Sequence, residues 1–190
     1  MEPSSSQDLS LRLYADPFST CSKKPILVIE ESSREFQLNF TPISLKTKDQ
    51  KRPEYVAKMP FGKVPLLESS SGLRVFESYA IARYLNETVA SSKLSPETAE
   101  ERAIMEQWIN IGIDYFKPLQ KKIQWEVLLK ARYNMGERDE KVIEESREGL
   151  KSVLNIFEAR LASSTWLAGE KFTLADICVI PEFDMLEKSG

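Results

Sequence analysis

The sequence has no histidine among its 190 residues and only two cysteines. Without histidine, a Ser-His-Asp triad and a histidine general base are excluded, and so are most zinc sites. Cys21 and Cys178 lie far apart in the sequence and do not form a disulfide framework. We therefore expect no bound metal and a reducing, cytoplasmic location.

Long apolar runs and a strong charge of either sign are missing as well. No apolar stretch approaches the ~20 residues that a membrane-spanning helix needs, and residues 1–10 read as a polar, disordered tail without a signal-peptide core. The net charge of −3 offers no electrostatic basis for binding nucleic acid or an acidic membrane. The remaining composition, 42% hydrophobic and 29% charged, is typical of a globular protein with one or two small domains.

Residues 58–87 carry most of the functional information. Two apolar runs, residues 65–68 and 73–76, flank the turn sequence SSSG at residues 69–72. This pattern is typical of an antiparallel hairpin. The hairpin is expected to leave a strand edge exposed beside Val64.

A helix is predicted directly after the hairpin, at residues 79–85. Ser78 occupies the position of an N-cap, so the free backbone N–H groups behind it would form a site for an anion. Val64 and Pro65 stand at the turn that leads into the hairpin. An extended peptide with a free carboxylate fits this pair of features, because its backbone would pair with the edge and its carboxylate would lie on the helix end.

The preceding segments complete an α/β domain at residues 11–86. Residues 11–15 and 36–42 alternate as strands do, and residues 22–31 read as a helix in which Pro25 is tolerable only in the first turn. The order β-α-β-(α)-β-β-α predicts a thioredoxin-like arrangement, with another small α/β sandwich as the alternative.

From the polar linker at residues 87–95 onward, the sequence shows no strand signal. Residues 96–190 therefore read as an all-helical bundle domain. Its first helix is predicted to begin at the Ser95-Pro96 pair, to kink at Pro118 and to end at Met135-Gly136. A second helix is predicted over residues 139–163, with one apolar face formed by Ile143, Leu150, Leu154, Phe157 and Leu161.

The last helix is predicted to begin at a capping box, in which Thr173 is the N-cap and Asp176 replaces the usual glutamate. Pro181 falls inside this helix and should kink it. The helix is apolar on more than one face, so we expect an exposed apolar patch around it.

The motifs PFGKVP at residues 60–65 and FESYAIARYL at residues 76–85 resemble the soluble glutathione transferases, most closely the phi class of plants and fungi. The sequence WLAG at residues 166–169, followed by the capping box, resembles their C-terminal domain. The resemblance covers residues 11–186 and implies a cytoplasmic homodimer that conjugates glutathione to small apolar electrophiles in detoxification. The family normally continues with further helical residues, so this chain reads as apparently lacking the last C-terminal helices.

The resemblance also implies a set of site residues. Ser19 matches the catalytic serine, whose hydroxyl would donate a hydrogen bond to the sulfur of glutathione and stabilise the thiolate. Glu77 would face the γ-glutamyl amino group, and Ser78 its carboxylate. The full set of residues expected to bind glutathione is Gln50, Lys51, Lys63, Val64, Pro65, Glu77 and Ser78.

Alternatives stay open at several of these positions. Ser19 also suits a simple helix cap, and Lys51 and Lys63 suit a solvated loop. Cys21 is two residues from the serine and is interpreted as a bystander, with a redox role as the alternative. The electrophile pocket is expected between the 16–20 loop and the helix that carries Trp108 to Pro118, where ordinary core packing is the alternative for each candidate: Phe18, Tyr115, Phe116 and Leu119.

A function from another class fits the same resemblance. Transferase-like domains also serve as non-catalytic binding or scaffold modules, in elongation-factor complexes or in ligand storage. The serine at position 19, together with Glu77, Ser78 and Lys51, favours the enzyme.

Overall fold

The structure is a computed structural model that describes residues 9–32 and 34–189. The predicted disordered tail therefore lies outside the described residues, apart from Leu9 and Ser10, and Ser10 already belongs to the first strand. The strands are β1 (Ser10–Ala15), β2 (Gln37–Pro42), β3 (Leu66–Ser69) and β4 (Arg74–Phe76). The α-helices are α1 (Thr20–Glu30), α2 (Pro53–Val56), α3 (Ser78–Thr88), α4 (Ala99–Ile111), α5 (Lys117–Gln124), α6 (Lys130–Tyr133), α7 (Glu140–Leu161) and α8 (Leu174–Lys188).

The chain divides into two compact units between Lys93 and Leu94. The first unit holds the whole sheet and α1 to α3, and the second unit holds α4 to α8. A thioredoxin-like α/β domain followed by an all-helical domain is therefore confirmed as the fold class.

The sheet has the strand order β2-β1-β3-β4. β1 runs parallel to β2 across the α1 crossover, and it runs antiparallel to β3, with Leu13 opposite Leu67. β3 and β4 form the predicted hairpin. Leu11, Leu13, Leu66 and Leu67 are almost fully buried, so the apolar residues of the two inner strands form the core of this unit.

The first helix differs from the prediction in where it begins. Ser19 is its N-cap and Thr20 its first residue, which places Pro25 in the second turn rather than the first. A proline there removes one N–H from the helical ladder, the bond toward the carbonyl of Cys21. The expectation that Pro25 would be tolerated only in the first turn is wrong.

The third helix also begins one residue away from the predicted cap. Glu77 is the N-cap and Ser78 is the first helical residue, so the prediction of Ser78 as N-cap is wrong. The backbone of Glu77 has φ 74° and ψ 114°, a conformation that the sheet-to-helix corner imposes and that no local sequence signal specifies. The helix continues to Thr88, so the first residues of the predicted linker are helical.

The second unit begins with a cap that the prediction placed three residues too early. Thr98, not Ser95, is the N-cap of α4. Thr98 accepts a hydrogen bond from the backbone N–H of Glu101, whose carboxylate accepts one from the N–H of Thr98. This reciprocal box satisfies two backbone donors at the start of α4.

Two π-helical segments join α4, α5 and α6 into one long helical run. The first, Gly112–Phe116, ends just before Pro118, where the sequence predicted a kink. A π-turn accommodates a residue in the wider i→i+5 pattern and suits a position where proline interrupts the ladder. The second segment, Trp125–Leu129, was not predicted. The run ends at Asn134 in a left-handed conformation, next to the predicted Met135-Gly136 break.

The apolar face of α7 packs inside the second unit, with one correction. Ile143, Leu150 and Phe157 are buried and Leu154 is half-buried, as predicted, whereas Leu161 is 46% exposed. Leu161 is the last residue of α7, where the helix has already left the core. Asp139 caps the helix by accepting hydrogen bonds from two backbone N–H groups.

The capping box of α8 is confirmed. The carboxylate of Asp176 accepts hydrogen bonds from the Thr173 N–H (2.9 Å) and from the Leu167 N–H (3.0 Å), so it ties the WLAG segment to the helix. The apolar patch expected around α8 stays a prediction. Most of the apolar side chains of α8 are buried or half-buried because α8 packs against both α4 and α5, and Ile180 is 41% exposed.

Candidate active site

The loop before α1 is held by the carboxylate of Asp16. One carboxylate oxygen accepts a hydrogen bond from the Phe18 N–H (2.9 Å), and the other accepts one from the Leu45 N–H (3.0 Å). The Ser19 N–H in turn donates to the Asp16 carbonyl oxygen at 3.0 Å. Asp16 therefore fixes the position of Ser19. This role of Asp16 was not predicted from the sequence, although an aspartate before Pro17 is a recognised turn signal.

Ser19 lies at the N-terminus of α1 and is half-buried. Its Oγ accepts a hydrogen bond from the Ser22 N–H at 3.4 Å, so Ser19 is a helix cap. A hydroxyl that accepts one hydrogen bond still has its own proton to donate. The cap and the expected donation to a sulfur are therefore compatible, and the positive end of the helix dipole favours a negative charge nearby.

Cys21 is the second residue of α1 and is half-buried. Both cysteines of the chain are thiols, and Cys178 is buried in α8 of the other unit. The interpretation of Cys21 as a bystander stays a prediction.

Gly62 brings two expected glutathione-binding residues next to the PFGKVP loop. Its φ of +55° suits glycine, and a β-carbon there would lie 2.8 Å from the Gln50 carbonyl oxygen. Nζ of Lys51 donates to the Phe61 carbonyl oxygen at 3.3 Å. The side-chain oxygen of Gln50 is buried, and no hydrogen-bond donor of residues 9–32 and 34–189 reaches it.

Tyr55 orients the backbone just before Val64. Its phenol donates a hydrogen bond to the Lys63 carbonyl oxygen at 2.7 Å, and the Lys63 N–H donates to the sulfur of Met59 at 3.4 Å. Burial, and secondarily the nearby phenol of Tyr14, raise the pKa of Tyr55, so this phenol remains a donor. The side chain of Lys63 is exposed.

Val64 and Pro65 are joined by a cis peptide bond, and both side chains are buried. β3, which begins directly after them, is an inner strand with β1 and β4 on its two sides. The edge expected beside Val64 therefore does not continue along β3. At Val64 itself the amide and carbonyl take part in no backbone hydrogen bond with the described residues, in agreement with the expectation.

Glu77 and Ser78 occupy the N-terminal end of α3. The Glu77 side chain is exposed and makes no cap to its own helix, and Ser78 is buried. The first-turn N–H groups of α3 make this end electropositive. An exposed carboxylate beside an electropositive helix end is suited to a ligand that carries both an amino group and a carboxylate.

The four expected electrophile-binding residues have different environments. Phe18 is 76% exposed and Tyr115 is 62% exposed. Phe116 is fully buried, with its ring 4.5 Å from that of Phe183 and 5.7 Å from that of Phe157, so it is corrected to a core residue. Leu119 is half-buried and packs closely on α7, since a β-carbon at Gly149 would lie 3.3 Å from it, and its role in the electrophile pocket stays a prediction.

A charged cluster stabilises the hairpin of the first unit. The carboxylate of Glu68 accepts hydrogen bonds from the Tyr14 hydroxyl (2.7 Å), Nε of Arg74 (2.7 Å) and Nζ of Lys58 (3.1 Å). Burial opposes ionisation of Glu68, but these donors together lower its pKa to about 2. Hydrogen bonds to Tyr14 and Glu68 raise the pKa of Lys58.

Two further properties follow from the described part of the chain. Among these residues, no group of three or more histidine, cysteine, aspartate or glutamate side chains could hold a metal ion. No helix that the structure describes has the length and apolar character needed to cross a membrane.

The sequence and the fold both match known proteins. The family description "Glutathione S-transferase, N-terminal domain" matches residues 9–87, and "Glutathione S-transferase, C-terminal domain" matches residues 108–190. Glutathione S-transferase F12 of Arabidopsis thaliana is 35% identical over 179 residues, which cover 93% of this chain and 81% of the relative.

Two solved structures show the same fold. Glutathione transferase F7 from Populus trichocarpa has a TM-score of 0.84 and 30% identity, covering 94% of this chain and 83% of its own. Glutathione S-transferase I from maize, in complex with an atrazine glutathione conjugate, has a TM-score of 0.81 and 30% identity, covering 92% and 80%. The chain belongs to the glutathione S-transferase family, as an enzyme that resembles the plant phi-class members.

Proposed function

We propose that the protein conjugates the thiolate of glutathione to small apolar electrophiles, as a detoxification enzyme in which Ser19 stabilises the thiolate. The observation that carries this proposal is the position of Ser19. Its hydroxyl caps α1 by accepting from the Ser22 N–H, so its proton is available for a sulfur at the electropositive end of the helix. The chain has no histidine that could act as a general base and convert Ser19 into a nucleophile.

The magnitudes show what Ser19 contributes. A free thiol has a pKa of about 8.5, so only ~3% is thiolate at pH 7. A hydrogen bond to a charged group contributes roughly 1.5–3 kcal/mol, enough to lower that pKa by one to two units. Because a more acidic thiol is also a weaker nucleophile, the net gain is only several-fold. Most of the acceleration must therefore come from holding thiolate and electrophile together.

The proposed pose of glutathione uses both helix ends of the first unit. The sulfur lies at Ser19, and the γ-glutamyl group lies at the N-terminus of α3, with its amino group on Glu77 and its carboxylate on Ser78. The cysteinyl backbone pairs with the amide and carbonyl of Val64, whose turn is shaped by Pro65. This pose is supported by the backbone of Val64, which makes no backbone hydrogen bond within residues 9–32 and 34–189.

The glycine carboxylate is proposed to lie near the loop that Gly62 closes. Lys51 supplies the cation there, and Lys63 adds a second positive charge. Gln50 offers a buried amide oxygen that would accept a hydrogen bond from the peptide backbone. Gln50 and Lys51 approach this turn closely because Gly62 has no side chain, and Lys63 follows Gly62 in the sequence.

The electrophile is proposed to be small and apolar. The maize relative was solved with an atrazine glutathione conjugate, which supports this class of substrate. Phe18 and Tyr115 remain candidates because both rings are exposed. On the family resemblance, we further propose that the protein works as a homodimer in the cytoplasm.

Retention on immobilised glutathione, followed by a conjugation assay with a generic aryl halide, tests this proposal. The proposed enzyme is retained, is eluted by free glutathione, and accelerates conjugation above the uncatalysed rate. Retention without turnover would support the binding-module alternative. Failure to bind glutathione would refute the proposal.

A further inference from the structure

Lys24 has none of its side chain exposed to solvent. It lies in the second turn of α1, within the first unit. Lysine is almost never fully buried, because removing an ammonium from water is costly. A fully buried lysine at this position therefore points to a specific role for its ammonium group.

The contacts of Lys24 join the beginnings of two helices. Its Nζ donates a hydrogen bond to the Thr20 carbonyl oxygen at 3.4 Å and lies over the ring of Tyr79, 5.2 Å from the ring centroid. Thr20 is the first residue of α1, directly after Ser19. Tyr79 is the second residue of α3, directly after Ser78.

We infer that Lys24 is a positioning residue that keeps the N-terminal turns of α1 and α3 in register. The inference rests on the proposed function, in which Ser19 faces the sulfur of glutathione and Ser78 faces its γ-glutamyl carboxylate. Glutathione is then held at two points, and the register between the two turns decides where its sulfur lies. A small displacement of the reacting atom is enough to cost much of the rate.

This role differs from general support of the fold in a measurable way. Lys24 acts on the sulfur only through the anchoring of the γ-glutamyl end at α3. When Ser78 is replaced, the γ-glutamyl end is held less firmly at α3. The register between α1 and α3 then has less influence on the position of the sulfur. The cost of losing Lys24 should therefore shrink in a Ser78→Ala background, whereas damage to the fold would cost the same factor in both backgrounds.

The test is a double-mutant cycle of Lys24→Met and Ser78→Ala, with kcat/KM for glutathione as the readout. We expect Lys24→Met alone to lower kcat/KM by about tenfold or more, and by less than about threefold in the Ser78→Ala background. Thermal unfolding of Lys24→Met and Lys24→Arg is measured alongside, so that a loss of folding stability is separated from a loss of kcat/KM. Lys24→Arg, which keeps a charged donor that stacks on Tyr79, should recover most of the activity.

Two further variants complete the design. Lys46→Met removes an exposed lysine of the same unit and should leave both kcat/KM and thermal stability unchanged. If Lys24→Met does not fold, Tyr79→Leu removes the other side of the contact and replaces Lys24→Met in the double-mutant cycle with Ser78→Ala.

Wild-type activity in Lys24→Met, or an equal loss in both backgrounds, would overturn the inference. An unchanged kcat/KM in Ser78→Ala alone would instead refute the proposed pose of glutathione, and this inference with it.

Discussion

The phenol of Tyr55 donates a 2.7 Å hydrogen bond to the Lys63 carbonyl oxygen, and this bond fixes the backbone that leads into Val64. Tyr55 is buried and belongs to the short helix α2, so a residue outside the PFGKVP motif sets the geometry of that motif. The ring of Tyr55 also meets that of Tyr14 on β1, edge to face, at 6.0 Å. The Val64 turn is thus tied to the sheet through one side chain.

Replacing Tyr55 by phenylalanine should weaken glutathione binding while the fold persists. The ring still fills its place in the core, but the hydrogen bond to Lys63 is lost and the Val64 backbone is less well oriented. We expect the Kd for glutathione, measured by calorimetry, to rise by about threefold to tenfold. Tyr84→Phe, a half-buried tyrosine of the same unit, is the matched control and should not change the Kd. An unaltered Kd in Tyr55→Phe would show that the hydrogen bond from Tyr55 to Lys63 does not contribute to glutathione binding.

Replacing Glu77 by glycine should affect folding stability and glutathione binding in opposite directions. A glutamate with φ 74° stores backbone strain of about 1–3 kcal/mol. Glu77→Gly relieves the strain, partly offset by the greater flexibility of glycine in the unfolded chain. We expect unfolding free energy to be unchanged or higher by about 1 kcal/mol, and glutathione affinity to fall by about tenfold with loss of the carboxylate.

The matched variant for this position is Glu77→Ala, which removes the carboxylate but keeps the strain. It should lose the same affinity without the gain in stability. Glutathione binding of wild-type strength in either variant would contradict the role of Glu77 in holding the amino group.

Some of this architecture was readable from the sequence, and some was not. Alternating apolar residues and the SSSG turn predicted the strands and the hairpin, because one face of each strand must be buried. The α4 start was also readable, since Thr98 and Glu101 have capping-box spacing, although the nearby Ser95-Pro96 pair was preferred. The α3 start was not, because the φ of Glu77 is imposed by tertiary structure.

The site shows the same division. Ser19 was expected from the family resemblance, and its catalytic role stays a prediction, whereas Asp16, Tyr55 and Lys24 were all missed. Their importance depends on burial and on partners distant in sequence, such as the Leu45 N–H for Asp16. The two π-helical segments were missed because a single π-turn shifts the apolar stripe by only one residue, which periodicity over a short window does not resolve.

Glu68 should make the stability of the first unit sensitive to acid. Its pKa in the folded protein is lowered from 4.5 to about 2, against the cost of burial, by donors from Tyr14, Lys58 and Arg74. A lowered folded-state pKa contributes stability that is present above pH 4.5 and is lost as the pH falls from about 4.5 to about 2. Glu68→Gln should therefore be destabilised by about 1–3 kcal/mol at pH 7, and the difference should narrow below pH 4.5.

Urea unfolding of wild type and Glu68→Gln between pH 7 and pH 3 measures this narrowing. Glu35→Gln, an exposed carboxylate of the same unit, is the control and should follow wild type at every pH. A constant difference between wild type and Glu68→Gln across that range would show that the carboxylate charge is not what stabilises the hairpin.

The most direct test of the central claim is the pKa of the glutathione thiol bound to wild type and to Ser19→Ala, followed by the absorbance of the thiolate. Cys21→Ser serves as the control, and thermal unfolding accounts for the lost helix cap, worth about 1 kcal/mol. We predict that the bound thiol has a pKa near 7 in wild type and in Cys21→Ser, and that it returns toward about 8.5 in Ser19→Ala. Conjugation at neutral pH should fall about tenfold or more in Ser19→Ala. An unchanged pKa and unchanged turnover in Ser19→Ala would contradict the account, and a loss confined to Cys21→Ser would transfer the role to that cysteine.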